Sequence, residues 1–479
     1  MSVLEQLEPK SVFRFFEELC AVPHGSGNRK PIADWCVRFA QERGLEWHRD
    51  GADNVTVVKP ATSGYEAAAP IILQGHLDMV CQQTADCAKN MDTEGLDLAV
   101  DGDSVYAKGT TLGADNGIAV AMAMALLDAG DLAHPRLEAV FTTDEEIGML
   151  GAADMDVSHL QGRKFLNLDS EDEGVFTVSC AGGNLTRCAL PVTRSPFSGA
   201  TLRVTVGGLL GGHSGIEIHK GRANASVLCG RVLWTMGRQT ALRLVSVAGG
   251  QKDNAICLQA AAVVTVADAS AALAVAADME AALKNEFRAV DPGLFIRVEP
   301  CAAPEAPMDE ASTQRIVCLL TCAPNGVQVM SADMEGLVQT SLNLGVLTTE
   351  GDTVTASFCV RSAVASQKDM LTARLESLTA QLGGTVEVFG DYPGWEYKPD
   401  SALRELLTEV YREQYGEEPK IEAIHAGLEC GMFSAKLPGL DCVSIGPDLT
   451  GVHTPQERMS IASVQRVWHF VVEVLKRSK

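Results

Sequence analysis

The chain has 479 residues, 46% of them hydrophobic and 21% charged, and its formal net charge is −23 at pH 7. The length predicts two domains, and the acidic charge argues against nucleic acid and membranes as partners because their phosphates are also negative. We identify no secretory leader, no apolar run long enough to cross a bilayer and no CxxC pair among the fourteen cysteines. These features predict a soluble cytoplasmic protein with reduced thiols.

Helical and strand-like segments alternate through the first part of the chain. Apolar residues at helical spacing predict helices at 9–20 and 31–43, and an apolar helix at 118–127 is stopped by Gly130. Short continuous apolar runs predict buried strands at 71–73, 137–141, 165–168 and, much later, 442–445. This alternation favours an α/β fold, in which helices flank a mostly parallel sheet.

The pattern changes near residue 185 and returns near residue 394. Alternating polar and apolar residues at 201–206 and 353–360 predict antiparallel strands, and long helices are predicted at 269–288 and 367–381. A closing amphipathic helix is predicted at 461–475. We therefore predict a catalytic domain made of 1–185 and 395–479, with an inserted α+β domain at 186–394 that exceeds the common domain size.

Metal-ligand residue types follow the predicted strands at the positions where each strand ends. His76, Glu146, Asp169 and His453 come after strand candidates, and Asp115 precedes the apolar helix. In open α/β sheets, ligands bind beyond the carboxyl ends of the strands. Each residue also has a purely structural explanation, such as a helix cap or a solvated charge run. The repetition favours a functional site, because burying several unpaired carboxylates is costly.

The charges of these five side chains favour a site for two metal ions. Three carboxylates and two neutral imidazoles carry about three negative charges. Two divalent cations with a bridging hydroxide carry three positive charges, so the site is balanced. Imidazole and carboxylate ligands suit Zn²⁺, and they also accept Co²⁺ or Mn²⁺.

Several segments resemble those of a known enzyme family. The strings GHLDMV, TLGADNG, TTDEEIG, LNLDSED and GVHTPQE are similar, in order, to the metal-site segments of the co-catalytic dinuclear zinc peptidases. The strings LCAVPHGSGN, GGHSG, HKGRANA and HAGLECG resemble the branch of aminoacyl-histidine (Xaa-His) dipeptidases. The resemblance spans nearly the whole chain and implies a zinc exopeptidase-like fold with an inserted lid domain.

The resemblance also assigns the five candidate ligands to two metal ions. It implies that Asp115 bridges both ions, that His76 and Asp169 complete one site, and that Glu146 and His453 complete the other.

Two further acids gain catalytic roles from the same resemblance. Asp78 resembles the carboxylate that orients the ligand histidine. Glu145 matches the general base, which takes a proton from the metal-bridging water and passes it to the leaving amine.

Three other residues resemble positions that contact the substrate, and a fourth departs from the pattern of the wider family. His213 is similar to a lid histidine that stabilises the oxyanion, Asn254 to a lid asparagine near the scissile carbonyl, and Arg361 to the arginine that holds the substrate carboxylate. Glu429 departs from the glycine-threonine loop of other branches, and we expect it to attract the amino group of a dipeptide. The alternatives are a turn at His213, an exposed strand residue at Arg361 and a hydrogen-bond acceptor at Glu429.

The predicted function is hydrolysis of unblocked dipeptides, preferentially Xaa-His dipeptides including β-alanyl-histidine. Lid closure is expected to bring the substrate-binding groups onto the substrate. An N-acyl amino acid amidohydrolase on the same scaffold is the main alternative, and a non-catalytic metal-dependent binding protein is the second. The family also contains homodimers formed through the inserted domain, so the sequence leaves open whether His213 serves its own chain or a partner.

Overall fold

The structure is a computed structural model that describes residues 2–479, and these residues form two compact units. The first unit contains the chain up to residue 179 together with 397–423 and 428–479, and the second contains 180–396 and 424–427. The segment 424–427 was expected in the other domain. It lies in the second unit because the Ala181 N–H donates to the carbonyl oxygens of Ile424 and Ala426.

The helices follow the apolar spacing of the sequence, and several begin at a side-chain cap. They are α1 (Lys10–Cys20), α2 (Arg29–Glu42), α3 (Ala114–Asp128), α4 (Leu150–Asp154), α5 (Ala225–Gly237), α6 (Ala269–Glu286), α7 (Glu310–Cys322), α8 (Ala365–Gln381), α9 (Ala402–Tyr415), α10 (Glu429–Lys436) and α11 (Ile461–Arg477). Asn224, Asp268 and Ser460 each accept a hydrogen bond from a first-turn N–H of the following helix.

The strands form three sheets. They are β1 (Glu46–Arg49), β2 (Val55–Lys59), β3 (Ile71–His76), β4 (Leu98–Asp101), β5 (Ser104–Ala107), β6 (Leu137–Thr142), β7 (Lys164–Asn167), β8 (Val175–Cys180), β9 (Gly182–Pro191), β10 (Ala200–Gly207), β11 (Leu242–Gly249), β12 (Ala260–Val266), β13 (Phe295–Pro300), β14 (Gly326–Met330), β15 (Val338–Glu350), β16 (Thr353–Ser362), β17 (Thr385–Tyr392), β18 (Lys420–Ile424), β19 (Asp441–Ser444), β20 (Leu449–Thr450) and β21 (Arg458–Ser460).

The first unit is built around a sheet in the order β1-β2-β6-β3-β7-β19-β8-β18. Its four central strands, β6, β3, β7 and β19, are parallel. The strands β1, β2 and β8 pair antiparallel with their neighbours, so the sheet is mixed and only its centre is parallel. Both β3 and β6 are buried along their whole length, which explains their continuous apolar runs. The carboxyl ends of the central strands meet at one edge.

The helix α3 lies in the core of the first unit, where it packs against α1 and β3. Every residue from 116 to 127 is buried, as expected for a helix that is apolar on all sides. Its start is irregular, because Asp115 and Asn116 have non-helical backbone angles. The candidate ligand Asp115 therefore lies on a kink before the regular helix begins.

The second unit contains an antiparallel sheet in the order β13-β10-β12-β11-β15-β16-β9-β17, with β14 paired to β15. The helices α5, α6, α7 and α8 pack against its strands. The alternating segments predicted at 201–206 and 353–360 lie in β10 and β16. A separate four-stranded sheet, β20-β21-β5-β4, belongs to the first unit. Within residues 2–479, we find no helix with the length and hydrophobicity needed to span a bilayer.

Candidate metal centre

The five candidate ligands form one cluster in the first unit. His76 is the last residue of β3, Glu146 follows β6, and Asp169 follows β7. His453 lies in the turn between β20 and β21, and Asp115 lies at the kinked start of α3. The parallel centre of the sheet thus supplies three of the five side chains from a single edge.

Asp115 lies between two pairs of ligands, and each of its carboxylate oxygens faces one pair. Nε2 of His76 is 3.2 Å from Oδ1 of Asp115 and 3.5 Å from Oδ1 of Asp169. Nε2 of His453 is 3.0 Å from Oδ2 of Asp115 and 3.0 Å from Oε1 of Glu146. The cluster therefore divides into two groups of donor atoms that share one carboxylate.

The donor set of this cluster fits divalent metal ions. His76, Asp115 and Glu146 each offer a ligand atom, and these atoms lie within 4.8 Å of one another. Imidazole nitrogen and carboxylate oxygen are both ligands of zinc and related ions. The two sides differ in exposure, because the side chain of His76 is 1% exposed and that of His453 is 48% exposed.

The histidines and carboxylates of the cluster shift one another's pKa values. Burial lowers the pKa of His76, but Asp169 and Asp115 outweigh it and raise that pKa well above its ordinary value. Hydrogen bonds with Asp115 and Glu146 raise the pKa of His453 to about 10. Although burial opposes the change, His453 and His76 lower the pKa of Asp115. Divalent ions held by these side chains would supply the positive charge that the carboxylates favour.

Asp78 contacts both the ligand histidine and the turn that follows β6. Nδ1 of His76 is 2.9 Å from the backbone carbonyl oxygen of Asp78 and 3.5 Å from its carboxylate. The carbonyl can only accept, so Nδ1 donates to it and Nε2 faces the cluster. The carboxylate accepts the N–H groups of Glu145 and Glu146 and the hydroxyl of Ser26. Asp78 thus positions the turn as well as the histidine.

Glu145 precedes Glu146 on that turn, and its carboxyl has an unusual pKa. Desolvation raises the pKa of Glu145 well above its ordinary value, and Asp169, Glu429 and Glu146 raise it further against the effect of His76. Asp144 on the turn and His453 both have left-handed backbone angles, with φ of 54° and 61°. Such angles are uncommon outside glycine and cluster at functional sites.

Two buried side chains that the sequence did not single out connect the ligand-bearing segments. Oδ1 of Asn116 accepts the N–H of His76 at 3.0 Å, and its Nδ2 donates to the carbonyl of Leu168 at 2.7 Å. The carboxylate of Glu457 accepts N–H groups from the segment that ends at Asp115. Two features of the sequence could have identified these residues. Asn116 is next to Asp115, and Glu457 is the last residue of the GVHTPQE string.

Glu429 is the first residue of α10, and its side chain is 0% exposed. Its Oε2 accepts hydrogen bonds from Nε2 of Gln74 at 2.5 Å and from Oγ1 of Thr142 at 2.7 Å. Its buried Oε1 has no hydrogen-bond partner in the part of the chain that the structure describes. Burial is the main reason that the pKa of Glu429 is raised to about 7.

The remaining candidate residues lie in the second unit. Nδ1 of His213 accepts the N–H groups of Gly215 and Ile216 at 3.1 and 3.2 Å. Because Nδ1 accepts, a neutral ring carries its proton on Nε2. Burial and the charge of Arg361 lower the pKa of His213. The carbonyl of Asn254 accepts the N–H of Ser214 at 2.8 Å, while its side chain is exposed.

Arg361 is a buried residue of β16, and its charge acts on two histidines. Its Nη1 donates to the Tyr392 hydroxyl at 3.0 Å, and its buried Nε has no hydrogen-bond partner among residues 2–479. His425, which the sequence placed near Glu429, hydrogen bonds to Ser341 within the second unit. Burial, with smaller effects of Arg361 and His213, lowers the pKa of His425 to about 3.

The sheet edge carries a cluster of imidazoles and carboxylates with the composition of a divalent-metal site. The sequence model of peptidase family M20/M25/M40 matches residues 72–477 of this chain. The chain belongs to this family and is a metallopeptidase, as the resemblance predicted.

Full-length relatives agree with this assignment. The chain is 38% identical over 480 residues to the cytosol non-specific dipeptidase of Escherichia coli (strain K12), with 99% of each chain covered. It matches the crystal structure of aminoacylhistidine dipeptidase from Vibrio alginolyticus with a TM-score of 0.95 and 37% identity, covering 99% of this chain and 97% of that one. An aminopeptidase from Bacillus cereus shares the fold at a TM-score of 0.57 and 15% identity, covering 98% and 99%.

Proposed function

We propose that this metallopeptidase hydrolyses unblocked dipeptides and prefers those with C-terminal histidine, including β-alanyl-histidine. The similarity to two dipeptidases over almost the whole chain supports the substrate class. The observation that carries the chemistry is the position of Asp115, with one carboxylate oxygen toward each pair of ligands. Similarity to the cytosol dipeptidase of Escherichia coli also supports a cytoplasmic location.

We further propose that the cluster holds two divalent ions, most suitably Zn²⁺, with Co²⁺ or Mn²⁺ as substitutes. His76 and Asp169 would hold one ion, Glu146 and His453 the other, and Asp115 both. When bound, such ions supply Lewis acidity and lower the pKa of water at the site.

The proposed mechanism assigns the proton transfers to Glu145. Its carboxylate takes a proton from the attacking water as the oxygen bonds to the peptide carbonyl carbon. It then gives that proton to the nitrogen of the leaving amino acid as the C–N bond breaks. Asp78 holds Glu145 in place through the backbone N–H of that residue. The products are two free amino acids.

The second unit would provide hydrogen-bond donors for the substrate. Nδ1 of His213 accepts backbone N–H groups, so its Nε2 would donate to the oxygen that becomes negative during attack. Asn254 would donate to the same carbonyl region. The guanidinium of Arg361, whose Nε has no partner among the described residues, would bind the C-terminal carboxylate. Pairing of two chains through residues 186–394 stays a prediction.

The substrate proposal is tested with a panel assayed before and after chelation. The panel contains β-alanyl-histidine, dipeptides with histidine at either position, dipeptides without histidine, and an N-acetyl amino acid. We expect chelation to abolish hydrolysis, zinc to restore it, and Xaa-His dipeptides to have the highest kcat/KM. Equal rates across the dipeptides would contradict the histidine preference. Faster hydrolysis of the N-acetyl amino acid would identify an amidohydrolase, and metal binding without turnover would identify a binding protein.

The role of Glu429 is tested by the variant Glu429→Gln. If its carboxylate attracts the substrate amine, kcat/KM falls more for free dipeptides than for N-acetyl amino acids. Its contacts with Gln74 and Thr142 support the alternative, in which it is a hydrogen-bond acceptor behind the site. Equal losses on both substrates would contradict the amine-binding role.

A further inference from the structure

A buried glutamate connects two ligand-bearing segments that are far apart in the sequence. Glu457 is 2% exposed and lies four residues after His453. Its carboxylate accepts four consecutive backbone N–H groups that end at Asp115. Oε2 accepts Leu112 at 2.7 Å and Gly113 at 3.0 Å, and Oε1 accepts Ala114 at 2.8 Å and Asp115 at 3.3 Å.

We propose that Glu457 is a positioning residue of the metal centre, an inference that rests on the proposed two-metal site. Asp115 has to present one oxygen to each pair of ligands, so its main chain must be held in one place. Glu457 fixes this segment from the turn that also carries His453. It thereby sets the separation of Asp115 and His453, whose side chains are 3.0 Å apart.

A simpler role for the Glu457 carboxylate would be to cap α3. The backbone angles at the start of α3 show that the carboxylate binds a segment before the regular helix. Asp115 and Asn116 have non-helical angles, so the regular helix starts after them. The four N–H groups that Glu457 accepts all precede this point. Glu457 therefore holds the segment that carries Asp115, not the first turn of the regular helix.

The arrangement requires a carboxylate because both oxygens accept. In a Glu457→Gln variant, the new NH₂ group would face two backbone N–H donors and could accept neither hydrogen bond. The variant has nearly the same volume as the native residue, so packing is preserved while half of the contacts are lost. A Glu457→Asp variant keeps two accepting oxygens on a shorter side chain, and we expect it to restore part of the function.

Glu138 provides a matched control in the same unit. It is 0% exposed, and its carboxylate accepts the N–H groups of Gln161 and Gly162 and pairs with Arg136. It lies near the start of β6, whereas the candidate ligand Glu146 follows the other end of that strand. Glu138→Gln therefore removes a buried carboxylate that braces a loop, but not one that braces the metal centre.

The test compares zinc affinity in the full-length chain, wild type and variants, by chelator competition and metal analysis. We expect Glu457→Gln to lower zinc affinity about 10- to 100-fold, Glu457→Asp to lower it less, and Glu138→Gln to leave it within about twofold of wild type. We also expect excess zinc to restore kcat in Glu457→Gln with little change in KM for the dipeptide. Melting of the metal-free proteins shows how far each substitution destabilises the fold.

Unchanged zinc affinity in Glu457→Gln, or an equal loss in Glu138→Gln, would overturn the proposal. If Glu457→Gln does not fold, zinc affinity is measured on Glu457→Asp instead. Wild-type zinc affinity in Glu457→Asp would then overturn the proposal. Failure of the proposed function would be observed in the wild-type chain and not in the variants. A wild-type chain that binds zinc without cleaving dipeptides overturns the dipeptidase proposal, while the affinities still decide the role of Glu457. A wild-type chain that binds no zinc overturns both.

Discussion

The candidate ligands of the first unit contact one another, whereas the candidate substrate-binding residues of the second unit are held by neighbours without a predicted role. Asp115 lies within 3.2 Å of both His76 and His453. In the second unit, His213 accepts backbone N–H groups and Arg361 donates to Tyr392. The first set is a cluster of imidazoles and carboxylates that could hold metal ions, and the second is a set of hydrogen-bond donors and acceptors without such a cluster.

This difference separates two kinds of defect. Substitutions in the cluster are expected to change metal content, and activity is lost as a consequence. Substitutions in the second unit are expected to leave metal content intact and to change kcat or KM. Metal analysis alongside kinetics therefore distinguishes the two sets of residues.

The largest effect is expected for Asp115→Asn. The amide cannot offer an anionic oxygen to both pairs of ligands, so zinc binding should be lost at both positions and kcat/KM should fall at least about a thousandfold. Metal analysis of the desalted protein, together with a β-alanyl-histidine assay, measures both effects. Asp441→Asn is the control, because Asp441 is buried at the start of β19 and bonds to Ser401. Two tightly bound ions in Asp115→Asn would show that Asp115 does not bridge.

A smaller effect, confined to turnover, is expected for His213→Ala. Loss of one donor to a developing oxyanion lowers kcat about 10²- to 10³-fold, while the chain keeps both ions. The exposed His219 in the neighbouring turn provides the control variant His219→Ala. Steady-state kinetics and metal analysis on the same preparations measure kcat and metal content together. If metal content fell together with kcat, His213 would belong with the metal ligands and not with the substrate-binding residues.

The smallest of these effects is expected for Arg361→Gln and should appear in KM. A hydrogen-bonded ion pair with the substrate carboxylate contributes about 1.5–3 kcal/mol, so KM for free dipeptides should rise about 10- to 100-fold. Dipeptide amides lack this carboxylate and should show little difference between variant and wild type. Tyr392→Phe, which removes the hydroxyl that Arg361 contacts, is the control for packing. An equal rise in KM for amides would contradict the assignment.

The sequence predicted the parts of this fold that depend on continuous or periodic apolar residues. The runs at 71–73 and 137–141 lie in β3 and β6, and the buried apolar part of α3 was predicted from its composition. The antiparallel partners of the central strands were not predicted, because strand order depends on contacts between distant segments. The assignment of residues 424–427 to the second unit was missed for the same reason.

The candidate site was predicted to the extent that side-chain chemistry signals it. Histidine and acidic residues at strand ends were identified because several occur together. Asn116 and Glu457 were not singled out, since both act on backbone groups and any polar residue in a turn has the same appearance in sequence. The expected role of Asp78 was incomplete, because hydrogen bonds to the amides of Glu145 and Glu146 cannot be foreseen without coordinates.

Glu145 and its neighbour Glu146 are expected to have different roles, proton transfer and metal binding, and paired glutamine variants separate these roles. We expect Glu145→Gln to keep two zinc ions per chain while kcat falls about 10²- to 10⁴-fold, because the amide cannot take a proton from water. Glu146→Gln should instead lose one ion, since its carboxylate lies 3.0 Å from Nε2 of His453 and belongs to that half of the cluster. Wild-type activity in Glu145→Gln, or loss of metal equal to that of Glu146→Gln, would contradict the account.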